Sequence, residues 1–119
     1  MAEKTVLIVD DSRVSRMLIK SVVVDRHPEW VILESGSGDE ALTHVGEAID
    51  LMIIDFNMPG MNGMMLSEQM KAHYPDAHIS MLTANVQDSI QQRASALGIG
   101  FEKKPITEAK IANIMSQVE

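Results

Sequence analysis

The chain has no cysteine. That excludes disulfide staples, thiol catalysis and cysteine-ligated zinc. Positive charge is scarce: 10 Lys and Arg stand against 17 Asp and Glu, a formal net charge of -7, with no clustered basic face. This argues against direct binding to DNA, RNA or an anionic membrane, where phosphate neutralisation dominates affinity. Long hydrophobic runs are missing as well. Val6-Leu7-Ile8-Val9 is strand-sized and far too short to span a bilayer. Met1-Ala2-Glu3-Lys4 does not begin a basic stretch followed by a long apolar segment. The expected location is therefore the cytoplasm, with no membrane partner. Linkers, low-complexity tracts and repeats are absent too.

What is present suits one compact domain. The 119 residues can bury a core without disulfides. Aromatics make up only 3% but methionine is plentiful, ten in all, so a methionine-filled core is expected.

Along the chain, short apolar runs alternate with helix-period segments, the pattern of an α/β fold with a mainly parallel sheet. Strands are expected at Thr5 to Val9, Val31 to Glu34, Leu51 to Ile54, Ile79 to Leu82 and Ile99 to Lys103. The first helix spans roughly Ser12 to Asp25, with Val14, Met17, Leu18 and Val22 at helical spacing and Pro28 just beyond. Ser37 and Glu40 have capping-box spacing for a second helix, whose buried stripe reads as Ala41, Leu42 and Val45. A loop rich in Gly, Pro and Asn runs from Asn57 to Gly63. The third helix turns Leu66 and Met70 inward and stops before Pro75. The fourth covers about Asp88 to Leu97, and Gly98 ends it. The fifth starts near Thr107 and carries Ile111, Ile114, Met115 and Val118 on one face. Right-handed crossovers make this a doubly wound sandwich, helices on both faces. The pattern alone leaves strand order open.

In open α/β sheets, ligands bind outside the carboxyl ends of the strands. Those ends carry Asp10 and Asp11, then Asp55, then Thr83, then Lys104 next to Pro105. The second strand offers Glu34 and Ser35, without an obvious partner. Singly, each reads as a turn residue, a cap or a solvated charge. Jointly they fit one task. Three carboxylates repel unless a hard cation sits among them, and oxygen donors in an incomplete cage suit Mg²⁺. A lysine and a hydroxyl opposite can hold phosphoryl oxygens. A carboxylate can itself be the nucleophile and form an acyl phosphate.

Val9-Asp10-Asp11-Ser12, the run Asp55-Phe56-Asn57-Met58-Pro59-Gly60-Met61-Asn62-Gly63, Thr83-Ala84-Asn85 and Lys104-Pro105 closely resemble the receiver domains of bacterial response regulators, best the single-domain chemotaxis CheY-like type. The resemblance covers essentially the whole chain, residues 1 to 119 as one receiver domain. It implies strand order 2-1-3-4-5, and Asp55 as phosphoacceptor. It implies Mg²⁺ held by Asp11, Asp55 and the backbone carbonyl of Asn57, with Asp10 acting mostly through water. Thr83 would be the switch hydroxyl, Lys104 the cationic anchor, and Phe101 the switch aromatic, lacking the hydroxyl of the more usual Tyr. A cis bond is usual before the equivalent of Pro105. The implied partners are a sensor histidine kinase or a histidine phosphotransfer protein, and a downstream protein on the face made by helix four, strand five and helix five.

Other readings stay beside it. A phosphorelay shuttle or phosphate sink needs no output target. An aspartate-nucleophile phosphatase of the haloacid-dehalogenase type wants a second Asp two residues after the first, where this chain has Asn57. No effector domain follows Glu119 in this sequence, so output is expected to pass through another protein unless the sequence is a piece of a longer chain. Chemotaxis CheY proteins commonly carry two lysines early in helix four; here Gln87 and Asp88 stand there, which weakens a flagellar-motor assignment. Beyond self-phosphorylation and slow loss of the acyl phosphate, no enzyme activity is expected. Neither Gly36-Ser37-Gly38 nor Gly98-Ile99-Gly100 completes a nucleotide-binding pattern. His27, His44, His73 and His78 lack ligand spacing and read as surface residues, and Trp30 is expected far from Asp55.

Overall fold

A computed structural model describes residues 3–119. Strands and helices alternate: β1 Thr5–Val9, α1 Arg13–Arg26, β2 Val31–Ser35, α2 Gly38–Leu42, β3 Leu51–Ile54, α3 Gly63–His73, β4 His78–Thr83, α4 Asp88–Ala96, β5 Gly100–Lys103 and α5 Glu108–Met115. All neighbouring strands pair in parallel, in the order β2-β1-β3-β4-β5. The order that the resemblance implied is the order found.

The central strands are mostly apolar, β3 entirely so and β4 interrupted by Ser80, because both their faces are covered. Alternate side chains go to opposite sides. Leu7, Val9, Met52, Ile54 and Met81 join Ala41, Leu66, Met70, Ile90 and Ala94 beneath α2, α3 and α4. Val6, Ile8, Leu51, Ile53 and Leu82 join Ile19, Val23, Ile111 and Ile114 beneath α1 and α5. Full burial of each such aliphatic side chain contributes about 1.5–3 kcal/mol. The expected methionine filling is present, with Met52, Met58, Met64, Met70, Met81 and Met115 all buried.

Two helices depart from expectation. In α1 three of the four side chains noted at helical spacing face solvent: Val14, Met17 and Leu18 are 65%, 58% and 51% exposed, while Val22 packs partly buried beside Ile19 and Val23, through which the helix meets the core. α2 has the expected Ser37 cap but stops at Leu42, so Val45 lies exposed in the following turns and, of the expected stripe, only Ala41 is fully buried. His73 is exposed as expected, but His27, His44 and His78 are half-buried, bonded respectively to Glu119, Glu47 and Ser80. Trp30 is buried in the core beneath α1 and α5, with its ring stacked on that of His27.

This topology creates the site. β1 and β3 are neighbours, yet the helix after β1 crosses to one face and the helix after β3 to the other. A crevice opens between them at the carboxyl ends of the strands.

Candidate phosphoryl and metal site

Three residues follow the ends of β1 and β3: Asp10, Asp11 and Asp55. Their carboxylate oxygens lie within 4.8 Å of one another, the one such cluster found among the described residues. Asp10 and Asp55 are 2% and 7% exposed, while Asp11 is exposed. Such charges are costly to gather in a low-dielectric crevice unless a cation joins them.

Lys104, just past β5, supplies one cation. Its Nζ lies 2.9 Å from Asp10 Oδ2, 3.5 Å from Asp55 Oδ2 and 3.4 Å from Ser15 Oγ. The Lys104 backbone N–H donates to the Thr83 carbonyl at 2.9 Å, and the bond to Pro105 is cis. Burial works to lower the Lys104 pKa, but its hydrogen bond to Asp10 and the charges of Asp10 and Asp55 outweigh it and hold the ammonium above its ordinary value. Burial pushes the Asp10 carboxyl up. Its bonds to Lys104 and to the Ser12 N–H oppose this, and the charge of Asp55 adds to it. One lysine therefore offsets the crowding only in part. The donors are all oxygen and one side is open, which fits a hard divalent ion such as Mg²⁺ that keeps some of its water.

Local folding sets these directions. Asp10 Oδ1 accepts from the Ser12 N–H at 2.9 Å as the chain enters α1, and Ser12 caps that helix through the Ser15 N–H. Asp55 Oδ1 faces the Asn57 N–H at 3.4 Å. The β3–α3 loop then folds back so closely that a Cβ at Gly63 would collide with the Asp55 carbonyl and with Phe56 Cα. Only glycine fits there. Thr83 is fully buried at the end of β4, and its Oγ1 accepts from the Asn85 N–H at 3.1 Å. Asn85 Nδ2 reaches Asn57 Oδ1 at 3.4 Å and so spans the loops after β3 and β4. Phe101 is partly buried in β5, against the core beneath α4.

Sequence reading did not pick out Ser15, Arg16 or Gly63 individually. Ser15 and Arg16 lie three and four positions after Ser12, on the first turns of α1. Their spacing from the cap was the available signal.

A family model described as the response regulator receiver domain matches residues 6–116. The chain is 27% identical over 116 residues to a glycerol metabolism activator of Pseudomonas putida, a match covering 95% of this chain and 52% of that protein. It spans about half or less of the first curated relatives it matches. Among solved structures, chemotaxis protein CheY4 of Vibrio cholerae superposes with a TM-score of 0.85 at 29% identity, covering 99% of this chain and 100% of that one. A CheY-like receiver domain of Methanospirillum hungatei gives a TM-score of 0.89 at 19% identity, over 98% and 93% of the two chains, and bears on the fold alone.

Proposed function

The chain belongs to the response regulator receiver family of two-component systems, and from that premise we propose that residues 1–119 form a receiver domain that is switched on by a phosphoryl group on Asp55. The carrying observation is the carboxylate trio with Lys104 at its edge. A divalent cation held by Asp11, Asp55 and the Asn57 carbonyl, with Asp10 supporting it through water, would neutralise the crowded acids and one oxygen of the incoming phosphoryl group.

The remaining chemistry belongs to the protein. An Asp55 carboxylate oxygen attacks phosphorus while the bond to the donor's imidazole nitrogen breaks. The electron pair stays on the imidazole, which takes up a proton, and an acyl phosphate is left on Asp55. Lys104 is already aimed at Asp55 and would follow the new phosphoryl oxygens. Loss of the signal is attack by water on phosphorus, which returns the carboxylate and inorganic phosphate. On this reading the chain is not an enzyme with a separate substrate. Its donor is a sensor histidine kinase or a histidine phosphotransfer protein.

Output runs through Thr83 and α4. Thr83 would exchange the Asn85 N–H for a phosphoryl oxygen, and Phe101 would turn into the space released. α4 is suited to respond. The other four helices are capped by side chains of Ser12, Ser37, Asn62 and Thr107, whereas Gln87 makes no side-chain cap for α4. A cleft of about 190 Å³ lined by Phe56, Met64, Ile90 and Arg93 separates α3 from α4. Such an element, held by buried Ile90 and Ala94 and by the Arg93–Glu68 ion pair but without a side-chain cap, can hold two arrangements that phosphorylation biases. The face made by α4, β5 and α5 would then bind a downstream protein.

Incubation with acetyl phosphate and Mg²⁺, followed by intact mass, tests the proposal. A single phosphoryl addition that decays supports it. Sustained turnover of small phosphate esters would support a phosphatase, and no addition at all would overturn the reading.

A further inference from the structure

Glu34, at the end of β2, faces a defined partner. Arg16 of α1 places Nε 3.2 Å from Glu34 Oε1, and Lys20 places Nζ 3.5 Å from Glu34 Oε2. The other arm of the Arg16 fork, Nη1, donates to the backbone carbonyl of Asp10 at 2.6 Å. That carbonyl belongs to the peptide joining Asp10 to Asp11, two of the three clustered carboxylates. On its other side, the Asp10 N–H donates to the Ser35 carbonyl at 3.1 Å. The turn is therefore tied twice to the end of β2, once through backbone and once through Arg16 and Glu34. Asp11 is exposed, so backbone direction has most of the control over where its carboxylate points.

We propose that Arg16, oriented by Glu34, is a positioning residue that sets the Asp10–Asp11 peptide so that both carboxylates converge on the cation site opposite Asp55. The inference rests on the function proposed above. A net change in ψ of Asp10 or φ of Asp11 would turn one carboxylate relative to the other, and the guanidinium, with 18% of its side chain exposed, is the side-chain donor that holds the carbonyl between them. Geometry matters here as well as charge. The planar fork presents Nε and Nη1 in fixed directions, one to the carboxylate and one to the carbonyl, and a lysine ammonium keeps the charge but loses that fixed geometry.

The test measures Mg²⁺ affinity by calorimetry for wild type, Arg16→Met, Arg16→Lys and Glu34→Gln, with melting curves in chelator to show that each is folded. NMR shifts of the Asp10 carbonyl carbon and the Asp11 amide are read on the same samples. Supporting groups around a metal site typically change affinity about 10- to 100-fold. Arg16→Met is expected to bind Mg²⁺ about 10-fold more weakly with both resonances displaced. Arg16→Lys should recover little of the affinity. Glu34→Gln keeps an acceptor and should lose less, and with Arg16→Lys it carries the test if Arg16→Met does not fold. Wild-type affinity in either Arg16 variant would overturn the positioning role while leaving the proposed function intact. Absence of Mg²⁺ binding in wild type would overturn both.

Discussion

Two aspartates flank the same four-residue strand, and their surroundings differ. Asp50 precedes β3. Its Oδ2 accepts from the Thr5 N–H at 2.9 Å, its own N–H donates to the Thr5 carbonyl at 2.9 Å, and its carbonyl accepts from His78 at 3.0 Å. Asp55 follows β3, buried beside two further carboxylates, with Lys104 at 3.5 Å and a single long approach from the Asn57 N–H at 3.4 Å. The direction of a parallel sheet explains the contrast. Its amino ends present free N–H groups, which satisfy a carboxylate. Its carboxyl ends present carbonyls, which cannot, so acids there depend on cations. Asp50 ties strands together; Asp55 is left available for chemistry.

Four substitutions sharpen or break this contrast. The largest effect is expected at the crowded end. Gly63→Ala places a Cβ against the Asp55 carbonyl and Phe56 backbone, which cannot move without shifting Asp55. A stability loss of about 2–3 kcal/mol is expected in denaturant melts, with slower phosphorylation by acetyl phosphate. At the other end, Asp50→Ala removes the acceptor for Thr5 and should cost about 1.5 kcal/mol. Its yield of phosphorylated protein should match wild type, and a lost yield would dissolve the distinction between the two ends.

The third substitution concerns pH. Burial raises the Asp10 pKa above 3.8, so the folded chain holds that proton more tightly than the unfolded chain does. The resulting cost is absent below the unfolded value, grows as pH rises through the folded value, and is complete at neutrality. Asp10→Asn in chelator should be more stable than wild type by about 1 kcal/mol at pH 7. The two melting curves should converge in acid. The smallest effect is expected at His78, at the amino end of β4. Burial, helped by the charge of Lys71, lowers its pKa below 6.5. Stability from this group is therefore present above 6.5 and falls away as pH drops toward the folded value. His78→Gln should remove only a few tenths of a kcal/mol of that pH dependence, because the ring is half in solvent.

The strands were legible because buried parallel strands are near-continuous apolar runs, and a residue just past each run lies at the carboxyl end of the sheet. That rule located Asp10, Asp11, Asp55, Thr83 and Lys104. Strand order came from resemblance, since βα alternation fits several orders. The buried face of α1 was not legible. Val14, Met17, Leu18, Ile19, Val22, Val23 and Val24 surround that helix with apolar residues, so periodicity offers more than one stripe. Packing of Ile19 and Val23 against β1, β3 and α5 decides between them. α2 was overextended because the turns after Leu42 leave Val45 in solvent. Arg16 was missed for another reason: its partner is a backbone carbonyl, which no pattern of residue types displays.

The central claim is that Asp55 alone takes the phosphoryl group. Borohydride reduces an aspartyl phosphate to homoserine, so treatment of the acetyl phosphate-modified protein followed by peptide sequencing marks the site directly. The account predicts homoserine at position 55, unchanged aspartate at 10, 11 and 50, and no homoserine in Asp55→Asn. Homoserine at any of the other three positions, or an undiminished yield in that variant, would contradict it.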